Sequence, residues 1–253
     1  MSIHPEAGAG FARGAAAYER GRPDYPAAAV GWLAARLGLG AGRLVVDLGA
    51  GTGKLTRQLV PYGARILAIE PVTEMAAELE RAVPGVQVLA ATASHTSLAS
   101  GSVDAVTAGQ SFHWFADQPS LHEIHRILRP GGKLGLVWNR RDPHAQPWRA
   151  VAELIEPLRR GVPTHDSVEW RQQLQASRIF GPLESRAFPH QHLASPGQMV
   201  DRVLSLSFVA ASERVVQERL RAQIMELANE FQGRPGQLIA LPYRTEVFAC
   251  RAC

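Results

Sequence analysis

The chain has 253 residues, 46% of them hydrophobic and 20% charged, a balance that suits one large α/β domain with a substantial core. A formal charge of +4, with Lys and Arg scattered rather than gathered in a stripe, excludes the electrostatic footprint of a nucleic-acid binder. No apolar run approaches the roughly 20 residues of a membrane span, and Met1-Ser2-Ile3-His4-Pro5 lacks the charged-then-apolar pattern of a secretory leader, so a cytoplasmic protein is expected.

Residues 1–26, rich in Gly, Ala and Pro, read as an N-terminal flap with Phe11, Tyr18 and Tyr25 as its apolar anchors. With so few anchors, the flap is expected to order only around a ligand. Residues 27–39 have helical spacing and end at the Gly38/Gly40/Gly42 cluster. Leu44–Leu48 reads as a buried strand, followed by a glycine turn and a helix over Lys54–Val60. Strands are then predicted at Arg65–Glu70, Val86–Ala90, Asp104–Ala108 and Lys133–Trp138. Helices are predicted at Thr73–Ala82 and Gln118–Leu128, with a turn at Pro130-Gly131-Gly132. Such alternation implies βαβ units and a doubly wound, mostly parallel sheet, with ligands beyond the carboxyl ends of its strands. This core spans 27–145. Residues 146–231 read as a helical cap containing one core strand at about 183–193: 146–180 look helical, and helices follow at 196–210 and 212–231. Residues 232–253 supply a final, edge-like strand at Ile239–Arg251 that tolerates Pro242 near its start. Cys250 and Cys253 form a C-x-x-C without the further ligands of a zinc site or the helix start of a redox motif, and read as reduced thiols of an intracellular protein.

The strongest chemical signal is Val45-Val46-Asp47-Leu48-Gly49-Ala50-Gly51-Thr52-Gly53-Lys54-Leu55-Thr56. A strand delivers an acid and three glycines into a helix start. Glycine lets backbone approach a ligand closely, while Asp47 would repel a pyrophosphate and hold an ammonium. The phosphate-binding rivals fail on the letters. A dinucleotide fingerprint from Gly49 needs Gly at 54, which is Lys; a P-loop needs Ser or Thr at 55, which is Leu. Glu70 ends the second strand, at the spacing where an acid accepts from both ribose hydroxyls of an adenosine. Pro71, Val72 and Met75 follow as an apolar wall for adenine, although Met75 taken alone fits plain helix packing better.

These residues resemble the class I S-adenosylmethionine-dependent methyltransferases, and within them the small-molecule type 11 branch that includes trans-aconitate methyltransferase-like proteins. The matching stretches run from Phe11–Tyr18 and Arg22–Pro26 through VVDLGAGTGKLT, ILAIEP, residues 103–115 and residues 128–143 to LPYRTEVF at 241–248. The resemblance implies a seven-stranded Rossmann-like sheet with an antiparallel last strand. It also implies S-adenosylmethionine as cofactor, with S-adenosylhomocysteine as product. Asp47, Gly49, Ala50 and Gly51 would hold the methionine part and Glu70 the ribose. Pro71, Met75, Thr92 and Ala93 would line the adenine pocket, and Gln110 would face the methionine end. Tyr18, Arg22 and Tyr25 would cover the cofactor. One departure is Ser94, followed by His95, where such enzymes often have an acid; adenine recognition would then rest on backbone groups or the Ser94 hydroxyl.

For the acceptor, His113 beside Trp114 is a candidate base or orienting donor, as are His190 and His192 on the strand near 183–193. Each reads equally well as a structural histidine. Arg140 and Arg141 are candidate clamps for an anionic acceptor; a solvated loop is their bland reading. Trp148, Trp170, Met199 and Phe208 are pocket candidates that are more often core. Gly109-Gln110-Ser111-Phe112 lacks the Asn/Asp-Pro-Pro-aromatic run of base-methylating enzymes. Asp117 reads as a helix N-cap, so no metal is expected. The expected partner is a small-molecule acceptor methylated on oxygen or nitrogen, a carboxylate among the options, with neither nucleic acid nor membrane. The chain is expected to be a monomer or homodimer. The competing readings are a non-catalytic protein that keeps the fold and cofactor, and a dinucleotide oxidoreductase.

Overall fold

The computed structural model describes residues 15–159 and 169–253; Phe11, and the match over 11–14, lie outside them. Helix α1 covers 15–21 and helix α2 Ala27–Leu37. Helix α2 buries Val30, Leu33 and Leu37 and is ended by Gly38 in the left-handed conformation, whose N–H returns to Ala34 and Ala35. Parallel strands follow at β1 (Leu44–Leu48), β2 (Arg65–Ile69), β3 (Gln87–Leu89), β4 (Val103–Gly109) and β5 (Leu128–Arg141). Between them lie α3 (Lys54–Leu59), α4 (Thr73–Ala82) and α5 (Gln118–Ile127). Asp117 caps α5 by accepting from Ser120 N–H. Beyond the alternating half come α6 (Trp148–Ile155), α7 (Glu169–Ser177), β6 (Glu184–Ala194), α8 (Pro196–Leu204), α9 (Ser207–Ala210), α10 (Arg214–Gln232) and β7 (Ile239–Arg251).

The seven strands pair in the order β3-β2-β1-β4-β5-β7-β6, with β7 antiparallel to both neighbours. The order reverses between β1 and β4, which opens a crevice at their carboxyl ends. Leu121, Ile124 and Ile127 of α5 pack with Leu134, Leu136, Trp138 and Trp170 on one face of the sheet. Leu33 and Leu37 of α2 pack with Val45, Val137 and Val247 on the other. At Gly135 a side chain would collide with Leu33 and Leu37 at 2.8 Å, so helix and sheet approach more closely there than any larger residue permits. Truncating fully buried Leu33 to Ala is worth about 2–5 kcal/mol on the usual core scale.

Four expectations are corrected. Strand β7 is internal, between β5 and β6, and β6 is the edge. Pro242 is tolerated because it lies just past the last β5 pairing, Arg141 with Tyr243, where its carbonyl accepts from Asp142 N–H and Trp148 Nε1. Strand β5 runs on past Trp138 to Arg141, and the Pro130-Gly131-Gly132 turn is a bulge within it: Val103 pairs Leu128, while Ala105 pairs Lys133. The helix expected over 196–210 breaks between α8 and α9 at Ser205 and Leu206, where Leu206 is extended. The helical stretch expected over 146–180 is two helices, α6 and α7, with 160–168 outside the described residues.

Candidate active site

The turn after β1 is shaped by three left-handed glycines, Gly49, Gly51 and Gly53. Gly49 and Ala50 N–H both donate to Ile69 O, at 2.8 and 3.1 Å, which folds the loop over the end of β2. Any side chain at Gly49 would meet Ser111 at 2.9 Å, whereas Gly51 has no atom within 4 Å of that position and leaves its backbone open to the crevice.

Two acids meet at this turn. Asp47 is fully buried; it accepts from Thr56 Oγ1 at 2.6 Å and Thr107 Oγ1 at 2.9 Å. No cation pairs with it among the described residues, and burial raises its carboxyl to about 6 against the stabilising hydroxyls. Glu70 accepts from Gly51 N–H at 2.8 Å and Val72 N–H at 2.9 Å, and burial raises it as well. A carboxylate oxygen can accept more than one hydrogen bond, and both acids line the cleft.

One cleft collects the cofactor candidates: Tyr18, Arg22, Asp47, Gly49, Ala50, Gly51, Glu70, Pro71, Met75, Thr92, Ala93 and Gln110, together with Tyr25 and Ser94. Met75 and Val72 form the apolar wall and pack against Ala15 and Tyr18 of the flap. The Thr92 and Ser94 hydroxyls lie 3.4 Å apart at the far end. Gln110 sits in the left-handed region, donating its N–H to Val137 O and its side chain to Asn139 O. Lys54, Leu55, Trp114 and Phe115 also line the cleft and carry no signal at the sequence level beyond their place in the glycine turn and the aromatic run after β4.

The flap is fastened by charge and by one close approach. Glu19 accepts from Thr52 Oγ1 at 2.5 Å and Arg57 Nη1 at 2.6 Å, and Asp24 pairs with Lys54 and Arg57. Asn139 Nδ2 donates to the carbonyls of Pro23 and Asp24 while its Oδ1 accepts from Thr245. Gly21 crosses the α8 backbone; a methyl there would meet Asp201 C at 2.5 Å and Arg202 Cα at 2.7 Å.

The acceptor candidates divide. His113 does not line the cleft: its Nδ1 accepts from buried Trp138 Nε1 at 3.3 Å, which puts the ring proton of neutral His113 on Nε2. Arg140 is also outside, because its guanidinium donates to both oxygens of Glu246 at 3.1 Å. Trp170 belongs to the core with Phe112, Trp138 and Phe248. Trp148 and Met199 are core residues of the cap, and Phe208 packs against them. His190 and His192 each keep a buried Nε2 without a partner, and burial lowers both rings, His192 to about 4. No group of three metal-ligating side chains occurs among the described residues, and no helix there is long and apolar enough to cross a membrane.

The methyltransferase domain family matches residues 46–136, from the glycine turn through β5. An uncharacterized methyltransferase of Mycobacterium bovis is 36% identical over 236 residues, covering 93% of this chain and 92% of that protein. An uncharacterized methyltransferase-like protein of Schizosaccharomyces pombe is 32% identical over 242 residues, 94% of each chain. In fold, the chain is similar to a candidate type II methyltransferase solved from Anaeromyxobacter dehalogenans, at a TM-score of 0.67 and 24% identity over 91% of this chain and 97% of that one. With near full-length relatives of this kind, and with the glycine turn and its two acids at the reversal of the sheet, the chain belongs to the class I S-adenosylmethionine-dependent methyltransferases.

Proposed function

We propose that the protein binds S-adenosylmethionine in the cleft at the ends of β1, β2 and β4 and transfers its methyl group to a small-molecule acceptor. The observation that carries this reading is Asp47: a fully buried carboxylate in the cleft lining that accepts from two hydroxyls and, among the described residues, pairs with no cation. A ligand ammonium supplies the missing charge. Glu70 accepts from the ribose hydroxyls, Met75 and Pro71 flank the adenine, and Thr92, Ala93 and the Ser94 hydroxyl receive its edge. Gln110 faces the methionine end, and Tyr18 and Arg22 cover it.

Held by these residues, the cofactor would supply an electrophilic methyl group whose leaving group is a neutral thioether. The protein's part is to hold acceptor and methyl on one line and to keep water out. The flap does the second, seated on Met75 and Val72 and fastened through Glu19 and Asp24. An acceptor that enters as an anion needs no base, which fits the engagement of His113 with Trp138.

Calorimetric titration with S-adenosylhomocysteine tests this. Micromolar binding is expected, weakened by about 1–3 kcal/mol in both Asp47→Ala and Glu70→Ala. Absence of binding by the unaltered protein overturns the reading.

A further inference from the structure

At the end of the sheet beside the cleft, the antiparallel registers set Arg141 opposite Tyr243 and Tyr243 opposite His190. Opposed residues share a face, so a guanidinium, a phenol and an imidazole form one row across β5, β7 and β6. Helix α8 covers the row, with Arg202 Nε donating to Tyr243 Oη at 3.0 Å. The Trp148 ring has two cations near it, the Arg141 guanidinium at 5.6 Å and that of Arg202 at 5.9 Å from its centroid.

A third arginine arrives from the flap. The close crossing at Gly21 brings Arg22 to the end of α8, where its Nε donates to Ser205 Oγ at 3.2 Å and its Nη2 to Ser205 O at 3.1 Å. The Ser205 hydroxyl in turn donates to Arg202 O. Among the described residues no carboxylate pairs with Arg22, Arg141 or Arg202. Burial first, and Arg202 second, push both Arg22 and Arg141 down to about 10. Arg202 is only 5% exposed, and its Nη1 is buried with no partner. Like charges gathered out of water without an anion are costly, and planar guanidinium forks are the donors that an oxyanion accepts from best.

We propose that Arg22, Arg141 and Arg202, with the Tyr243 hydroxyl, hold a carboxylate or phosphate group of the methyl acceptor, which is therefore a small oxyanion-bearing molecule; the assignment to the acceptor rests on the methyl-transfer reading above. Arg22 lines the cofactor cleft, so the anion site borders the place where the methyl group is presented. Arg140 takes no part, because Glu246 already neutralises it on the opposite face of β5.

The test is thermal unfolding in citrate, in inorganic phosphate and in sodium chloride at matched ionic strength, each with and without saturating S-adenosylhomocysteine. At least one oxyanion is expected to raise Tm above the chloride control. Citrate alone identifies a carboxylate ligand, phosphate alone a phosphate ligand, and both together a site that accepts either. Arg141→Leu and Arg202→Leu are each expected to weaken this response about tenfold or more. Both are also expected to raise the Tm of the ligand-free protein, because they relieve like-charge repulsion. Arginines that merely brace Trp148 and Tyr243 would lower Tm when replaced and leave the anion response intact. Oxyanions no better than chloride, or variants that respond like the parent, overturn the proposal; if a variant fails to fold, a parent response that saturates at millimolar oxyanion supports the site, and a rise that stays linear toward molar salt is general salt stabilisation and overturns it. A response to anions in a protein that does not bind S-adenosylhomocysteine strikes the methyl-transfer reading and leaves the anion site standing.

Discussion

At the ends of β1 and β2, Asp47 and Glu70 are buried carboxylates whose oxygens accept from hydroxyls and backbone N–H groups. At the ends of β5 and β7, Arg141 and Arg202 are cations with a phenol and an indole for company and a guanidinium nitrogen left unmet. Elsewhere the chain pairs its buried charge: Asp104 sits between Arg43 and Arg129, and Glu123 is held by Arg126 and Thr96. Among the described residues, buried charge without a counter-ion falls on the two sides of the cleft, with opposite signs. On the readings proposed above, that charge is met by ligands, one that brings a cation and one that brings an anion.

The change that would most disturb this pairing of ends is Gly21→Ala. Its methyl has only α8 backbone to displace, so a stability loss of about 1–3 kcal/mol is expected in denaturant unfolding. Binding of S-adenosylhomocysteine and the citrate or phosphate response should both weaken, because the flap serves both sides. A variant that loses one and keeps the other would separate the two ends.

The acidic end can be isolated by pH. Holding an ammonium requires ionised Asp47, so affinity for S-adenosylhomocysteine should fall about tenfold per pH unit below about 6. In the ligand-free protein the same group acts on stability with the opposite sense. Its folded value lies above the ordinary 3.8, so its contribution is full below that value and is lost as pH rises through about 6. The guanidiniums of Arg22 and Arg141 add no step in this range, since they stay protonated to about 10. An affinity that is flat from pH 7 to 5 would remove Asp47 from the ammonium's contacts.

A smaller effect is expected from Arg57→Ala, which cuts the flap's link to Glu19 and Asp24; a partly exposed pair of this kind is worth about 0.2–1 kcal/mol. Amide exchange over 15–26 should be faster in that variant and slower in the parent with S-adenosylhomocysteine. Equal protection with and without ligand would mean that these ion pairs alone keep the flap closed.

The alternating half was largely legible in the sequence, because glycine turns and short apolar runs are local signals: β1 and α4 fall on their expected residues, and Asp47 and Glu70 flank the turn as their spacing implied. The acceptor side was not, since strand register decides it. With β5 expected to stop at Trp138, Arg140 and Arg141 were equivalent loop residues. Because the strand continues, they point to opposite faces, Arg140 to Glu246 and Arg141 to Tyr243. The two readings of His113 stayed level for a related reason, as its partner Trp138 lies on a different strand end. The flap's polar fastenings join residues about 30 or more positions apart and leave no mark in local composition.

The crossing at Gly21 has a thermodynamic consequence. Tyr18 and Arg22 stand on one short stretch of chain, so immobilising that stretch for either ligand lowers the entropic cost of receiving the other. Such coupling is reciprocal: whatever factor the nucleoside adds to the affinity for the anion, the anion must add to the affinity for the nucleoside. On the proposals above, Gly21, by letting the flap lie against the cap, would make the cofactor cleft and the anion site report on each other's occupancy.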